Sequence, residues 1–243
     1  PIYRKRRLQA LNKADHILVL QDAFKPWFGA ALQNKISVMP NPVAPANMPL
    51  TEPRDTCVIG VGRLTAIKRY DLLITAFSKI SAKHPEWRMV IYGDGPERDA
   101  LKHLINHQNM SEKISLAGVV KDIMPVYAKA AILCHPSSFE GFGLSVAEAL
   151  AHGVPVVADA ACSGVTTLIQ DGKNGILVDT SDAENESFFN ALHQLINDSD
   201  ARKKMGHAAP SSVQSYAPDI ILDRWEQLLC ACQSSHALNV KSI

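Results

Sequence analysis

The stretch Glu140-Gly-Phe-Gly-Leu-Ser-Val-Ala-Glu148 sets two carboxylates on either side of a pair of glycines, just ahead of a helical pattern. Small residues at a helix start leave backbone N–H groups accessible at the positive end of the helix dipole, which suits a phosphate. Glu148 falls about a turn inside the helix and two turns from Glu140. The two carboxylates can therefore meet different hydroxyl groups of one elongated ligand. The plainer reading is a cap at Glu140 and a solvated charge at Glu148. Glu148, however, lies between Ala147 and Ala149-Leu150-Ala151, in a helix apolar nearly all round, where free solvation is disfavoured.

A second constellation is Gly60-Val-Gly62-Arg63-Leu64-Thr65-Ala66-Ile67-Lys68. Cations held beside a diphosphate stabilise the charge left when a bond to it breaks, with no metal required. Arg63 offers a planar fork and Lys68 a point charge. Two cations in a loop are otherwise solvated surface, and their place directly after a strand favours the site reading.

Other chemistries lack their residues. Gly60-x-Gly62 is a fragment of a dinucleotide fingerprint, with Thr65 where a third glycine belongs and no acidic residue closing the next strand. No G-x-x-x-x-G-K-[ST] or G-x-S-x-G occurs. Asp198-Ser199-Asp200 lies between helical patterns and reads as a helix cap, so no metal is expected. Neither His103 with His107 nor any Cys–His set has zinc-ligand support. His135 ends an apolar run and reads as a satisfied core histidine bordering the proposed site.

The elements that position these residues follow from periodicity. Apolar strand-like runs occur at Cys57–Val61, Met89–Tyr92, Lys113–Leu116, Ala131–His135, Val154–Ala158 and Gly175–Val178. Helical patterns occur at Tyr70–Lys83, Glu97–His107, Met124–Lys129, Leu144–His152, Thr166–Gln170 and Ala183–Ile196. Strictly alternating strands and helices predict a doubly wound, Rossmann-like parallel sheet covered on both faces. Ligands bind such sheets at the carboxyl ends of the strands, where Gly62-Arg63, Gly93-Asp94-Gly95, Gly118-Val119-Val120, Pro136 to Glu140 and Asp159-Ala160 stand.

Ahead of this domain, His16–Leu20 and Lys35–Met39 read as strands. Prolines 40, 42, 45, 49 and 53 then mark an interdomain linker over 41–54. The domain is expected over 55–215 and a terminal helix and tail over 216–243. Ile221, Leu222, Trp225, Leu228 and Leu229 give that helix an apolar stripe, read as core or as a docking face.

Composition is that of an ordinary globular chain: 243 residues, 47% hydrophobic, net charge +1. That balance gives no generic attraction to nucleic acid. Arg4-Lys5-Arg6-Arg7 is a local exception, read as a solvated helix face with a peripheral contact to anionic lipid as the alternative. Cys57, Cys134, Cys162, Cys230 and Cys232 form no C-x-x-C pair and are expected reduced, hence a cytoplasmic location. No apolar run reaches the roughly 18 residues of a membrane span. The chain opens on Pro1, which suggests a piece of a longer protein.

These residues together resemble family 4 of the retaining glycosyltransferases, with the GT-B fold of two Rossmann-like domains facing a cleft. The resemblance rests on Pro40-Asn-Pro-Val43, Gly62-Arg-Leu64 with Lys68, Gly93-Asp-Gly-Pro96, Gly118-x-Val120, Glu140-Gly-Phe-Gly143, Glu148 and Asp171-Gly-x-x-Gly175, in the family's order. It implies that Arg63, Lys68 and backbone amides near Gly62, Phe142, Gly143 and Leu144 hold a donor diphosphate. Glu140 would contact the transferred sugar, Glu148 the ribose, and the backbone at Val120 the base.

The implied activity is metal-independent transfer of a hexose from a UDP- or GDP-sugar, without cofactor, to a glycan or lipid-linked acceptor in surface polysaccharide or lipopolysaccharide synthesis. Residues 1–40 would be the end of the amino-terminal domain, whose body would supply the acceptor site. The chain alone is therefore expected to bind donor and transfer nothing.

Two positions depart from the family. Arg69 stands where glycine is frequent, which is expected to tighten or shift phosphate contacts, and Thr166-Thr167 replaces a common Glu, which leaves the sugar open. A nucleotide-sugar epimerase and a non-catalytic nucleotide-binding regulatory module remain as alternatives.

Overall fold

A computed structural model describes residues 2–46, 54–181 and 186–240. Residues 47–53 of the expected linker and the start of the helix expected at Ala183 lie outside them. The chain divides into two compact units, Val43–Gln214 and a second made of residues 1–42 with 215–243.

The larger unit repeats strand and helix: β3 (Cys57–Val61), α2 (Tyr70–Ser81), β4 (Arg88–Tyr92), α3 (Arg98–His107), β5 (Ile114–Gly118), α4 (Met124–Lys129), β6 (Ile132–His135), α5 (Leu144–Ala151), β7 (Val156–Asp159), α6 (Ser163–Thr166), β8 (Gly175–Val178), α7 (Glu186–Asn197) and α8 (Ser199–Ala208). All six strands are parallel, in the order β5-β4-β3-β6-β7-β8. The chain winds outward from β3 through β4 to β5, then returns to lay β6 against the other side of β3. This is the doubly wound Rossmann-like order, and its switch point falls between β3 and β6.

Burial explains the strand sequences. In β6 and β7 every residue is buried, so Ile132-Leu133-Cys134 and Val156-Val157-Ala158 are continuous apolar runs. β4 and β5 alternate buried with more accessible positions, so toward that edge of the sheet only one face is fully covered. The expected coverage of both faces is complete at β6 and β7 and lessens toward that edge. Leu73, Phe77, Ile80, Met89, Ile91, Phe188 and Leu192 fill the main core, joining α2, α7 and the sheet.

Asp198 Oδ1 accepts from the Ala201 N–H at 2.8 Å, so the Asp-Ser-Asp motif caps α8. The short helix α6 begins earlier than the pattern at Thr166–Gln170 suggests. The buried side chain of Asn174 accepts from the Gln170 N–H at 2.8 Å and donates to the Leu168 carbonyl at 3.0 Å. Those backbone groups are satisfied by a side chain from the Asp171–Gly175 turn instead of by helix bonds.

In the smaller unit, α1 (Ile2–Lys13) leads to β1 (Ile17–Val19), which pairs in parallel with β2 (Ile36–Val38). Ile17, Val19, Phe24, Leu32 and Ile36 form its core. Arg6 and Arg7 are exposed. The terminal helix α9 (Pro218–Val240) belongs to this same unit, and Arg224 Nη2 donates to the Val38 carbonyl at 2.8 Å. Its apolar stripe is not core: Ile221 is buried, whereas Leu222, Trp225 and Leu229 are exposed.

Arg69, the departure from the family pattern, has φ 52° and ψ 41°, the left-handed region that favours glycine. Its Nη1 donates to Asp159 Oδ2 at 3.2 Å and to Thr180 Oγ1 at 2.5 Å, while Thr180 Oγ1 donates to Asp159 Oδ2 at 2.5 Å. The guanidinium thus fastens the start of α2 to the end of β7 and the residue pair that follows β8. Its side chain thus has a structural role besides the effect expected on phosphate contacts.

Removing the cation leaves the carboxylate of Asp159, 3% exposed, without its ionic partner. Arg69→Ala should therefore lower stability by about 3 kcal/mol in urea unfolding. Arg69→Gly, which relieves the strained backbone, should cost about 1 kcal/mol less. Equal losses in the two variants would show that the left-handed backbone carries no strain.

Candidate functional site

The loop after β3 meets the loop after β6 at the switch point and the loop after β4 on its other side, and glycines permit the approach of the β3 and β4 loops. Gly62 adopts φ 151°, and a Cβ on Gly93 would lie 1.9 Å from the Gly62 carbonyl oxygen. The N–H of Gly62 donates to Tyr92 at 2.9 Å and that of Leu64 to Asp94 at 3.0 Å, binding the two loops edge to edge. Beyond them a one-turn 3-10 helix, Ala66–Lys68, carries the lysine.

Three bonds converge on the Ile67 carbonyl, from the Ser138 N–H at 3.0 Å, Ser137 Oγ at 3.2 Å and Ser138 Oγ at 3.3 Å. The segment after β6 is thereby pinned beside Lys68. The opposite side of that segment is pressed by Gly164 of α6, where a Cβ would stand 2.2 Å from the Glu140 carbonyl oxygen.

The outcome is a compact charged group. Lys68 Nζ donates to Glu140 Oε1 at 2.5 Å, and His135 Nε2 lies 3.0 Å from the same oxygen. His135 is buried, and burial pushes its pKa down, so the neutral ring donates its Nε2 proton to the carboxylate. Burial acts on Glu140 in the opposite sense, raising its pKa, but the hydrogen bonds and charges from His135 and Lys68 prevail and hold it down to about 2. Glu140 is therefore an ionised acceptor with one oxygen already doubly contacted.

Glu148 occupies a different environment on α5. Tyr127, whose side chain is fully buried, donates its hydroxyl to Glu148 Oε2 at 3.0 Å. Burial raises the Glu148 pKa, opposed by the Tyr127 bond and by His152. The helix itself starts at Gly143, φ 76°, where a Cβ would lie 2.6 Å from Val165 Cγ1. No side-chain cap and no acidic first-turn residue neutralises that helix end.

The structure brings Lys68 and Glu140 into contact and places Gly62 against Lys68. Phe142 is buried, and Leu144 is exposed at the helix start. Arg63 is exposed beyond Gly62, without an ion pair to Glu140 among the described residues. Val120 follows β5 at the sheet edge, two strands from β3, or about 10 Å away. No cluster of three potential metal ligands occurs among the described residues.

Sequence reasoning placed His135 and the two serines beside the site without their contacts, and missed Tyr127. His135-Pro-Ser-Ser138 between a strand end and the first glutamate was the available signal for three of them. Tyr127 had none, because its partner is distant in the chain.

Residues 49–212 match the model of the glycosyl transferases group 1 family, so the chain belongs to that family and its fold is one half of a GT-B architecture. It is 30% identical over 218 residues to an exopolysaccharide phosphotransferase of Streptomyces coelicolor, covering 88% of this chain and 23% of that protein. An uncharacterized glycosyltransferase of Haemophilus influenzae is 28% identical, over 90% of this chain and 62% of that one. A mutant of S. aureus TarM, crystallised with fondaparinux, alpha-GlcNAc-glycerol and UDP, superposes with TM-score 0.82 at 25% identity, over 94% of this chain and 46% of that one. The chain thus spans less than two thirds of each of these relatives. Among the described residues no helix is long and apolar enough to cross a membrane.

The two glutamates make opposite demands on stability. Glu140, with its folded pKa depressed, contributes stability that is present above about pH 4.5 and lost as pH falls toward about 2. Glu148, with its folded pKa raised, contributes stability that is lost as pH rises through that value. At neutral pH, thermal unfolding should show Glu140→Gln destabilised and Glu148→Gln unchanged or stabilised. A stabilised Glu140→Gln would contradict the ion-pair account.

Proposed function

We propose that the chain is the carboxy-terminal, donor-binding half of a retaining, metal-independent glycosyltransferase of family 4. The donor is a UDP- or GDP-hexose and the acceptor a glycan or lipid-linked glycan. The setting is surface polysaccharide or lipopolysaccharide assembly, in the cytoplasm or peripherally at the inner face of the cell membrane. The observation that carries this reading is the meeting of Lys68 and Glu140 across the switch point, beside the uncapped start of α5, in a group 1 glycosyl transferase domain. A relative named for exopolysaccharide and a neighbour holding UDP with a glycan point the same way.

Each residue then has a role that its environment supports. Lys68 and Arg63 neutralise the diphosphate, with the Gly62 loop and the amides of Phe142, Gly143 and Leu144 alongside. Glu140, kept ionised, accepts hydrogen bonds from sugar hydroxyls and does not serve as a proton donor. Glu148, oriented by Tyr127, accepts from the ribose, and the backbone at Val120 meets the base.

Transfer proceeds on one face of the sugar. As the bond from the anomeric carbon to the phosphate oxygen breaks, the acceptor hydroxyl attacks from the same side and its proton passes to the departing phosphate. Fixed cations lower the barrier by stabilising the charge that develops there. Residues 1–42 and α9 fit the reading as parts of the acceptor-side domain, whose remainder supplies the other wall of the cleft.

Calorimetric titration with UDP, GDP and their hexose conjugates tests the site. Lys68→Ala should weaken diphosphate binding by about tenfold. In an enzyme carrying both domains it should lower turnover by more than about tenfold. Glu148→Gln should weaken every ligand of the panel, whereas Glu140→Gln should weaken only the sugar conjugates. Failure of the chain to bind any uridine or guanosine diphosphate would remove the donor-site reading.

A further inference from the structure

Beside Lys68 lies a polar group that nothing among the described residues satisfies. Tyr70 opens α2 and is 3% exposed, and its hydroxyl is buried with no hydrogen-bond partner among those residues. Leaving such a hydroxyl unpaired costs stability, and phenylalanine would fill the same space without that cost. The ring is accommodated by a pair of glycines: a Cβ on Gly60 would lie 2.9 Å from the ring carbon Cε1.

The position of the hydroxyl is informative. A Cβ on Gly62 would stand 2.9 Å from the Tyr70 oxygen and 3.2 Å from Lys68 Nζ and Cε. The buried hydroxyl and the ammonium proposed to meet the diphosphate therefore lie on the same side of Gly62, packed so closely against it that only a glycine fits there. Burial, and secondarily the charge of Glu140, raise the phenol pKa, which keeps the proton on the oxygen and makes it a donor near neutral pH. In the free chain the ammonium is drawn to Glu140.

We propose that Tyr70 is a binding residue for the leaving diphosphate. When the ammonium of Lys68 turns from Glu140 to the ligand, it uncovers the Tyr70 hydroxyl beside Gly62, which then donates to an oxygen of the terminal phosphate. Lys68 supplies charge without direction, and Tyr70 supplies a directed hydrogen bond to a charged acceptor. This inference rests on the donor-site reading and adds a contact that discriminates a diphosphate from a monophosphate.

The test is Tyr70→Phe in the 243-residue chain, titrated with UDP, GDP and the matching monophosphates, with thermal unfolding followed in the absence of nucleotide. The expected result is a Kd for the diphosphate raised about tenfold, the monophosphate Kd unchanged, and an unfolding midpoint equal to or above that of the parent. Unchanged diphosphate affinity would overturn the proposal. So would a lowered midpoint, or equal losses for mono- and diphosphate, either of which would make the hydroxyl a packing or general site element. If the parent chain binds none of these nucleotides, the donor-site reading falls first and this inference with it.

Discussion

One contact organises the site: the ammonium of Lys68 held 2.5 Å from a carboxylate oxygen of Glu140. Its partners come from different connections of the sheet, one after β3 and the other after β6, so it exists only because the strand order reverses between them. With both side chains largely enclosed, the attraction is screened less than at a surface, and neither charge is well served alone. A ligand that offers phosphate oxygens to Lys68 and hydroxyls to Glu140, as the proposed donor would, replaces each partner with another.

The surrounding structure serves that contact by bringing backbones close. Gly62 and Gly93 allow two loops to touch, Gly164 lets α6 lie against the backbone of Glu140, and Gly143 lets the chain turn into α5 beneath Val165. A β-carbon at Gly93, Gly143 or Gly164 would collide with backbone or a packed side chain. Polar bonds from Ser137 and Ser138 to one carbonyl then fix the register of the loops. Preorganisation of this kind is what transition-state stabilisation by fixed charges requires.

Much of this was legible in the sequence, for local reasons. The parallel sheet follows from continuous apolar runs such as Leu133 and Val157 alternating with amphipathic helices, and Glu140 with its following glycines marks the loop that meets Lys68. What was not legible depends on contacts between distant positions. His135 looked like core because a buried histidine at a strand end carries no mark of its acidic neighbour. Arg69 stood out only as a departure expected to tighten or shift phosphate contacts, because its left-handed backbone and its partners Asp159 and Thr180 emerge only when the end of β7 reaches α2. The helix expected to run to Gln170 stops at Thr166 because Asn174, a side chain beyond the pattern, satisfies the backbone of Leu168 and Gln170. Spacing alone left the stripe on α9 open between core and docking face, and Leu222 and Leu229 are exposed.

The account turns on Lys68 exchanging Glu140 for a diphosphate, and a crystal structure of the chain with the best-binding nucleoside diphosphate observes this directly. It should show Lys68 Nζ about 3 Å from phosphate oxygens and more than about 4 Å from the Glu140 carboxylate, which is then open to the sugar side. A bound nucleotide with Lys68 still seated on Glu140, or a nucleotide placed away from the carboxyl ends of β3 and β6, would contradict it.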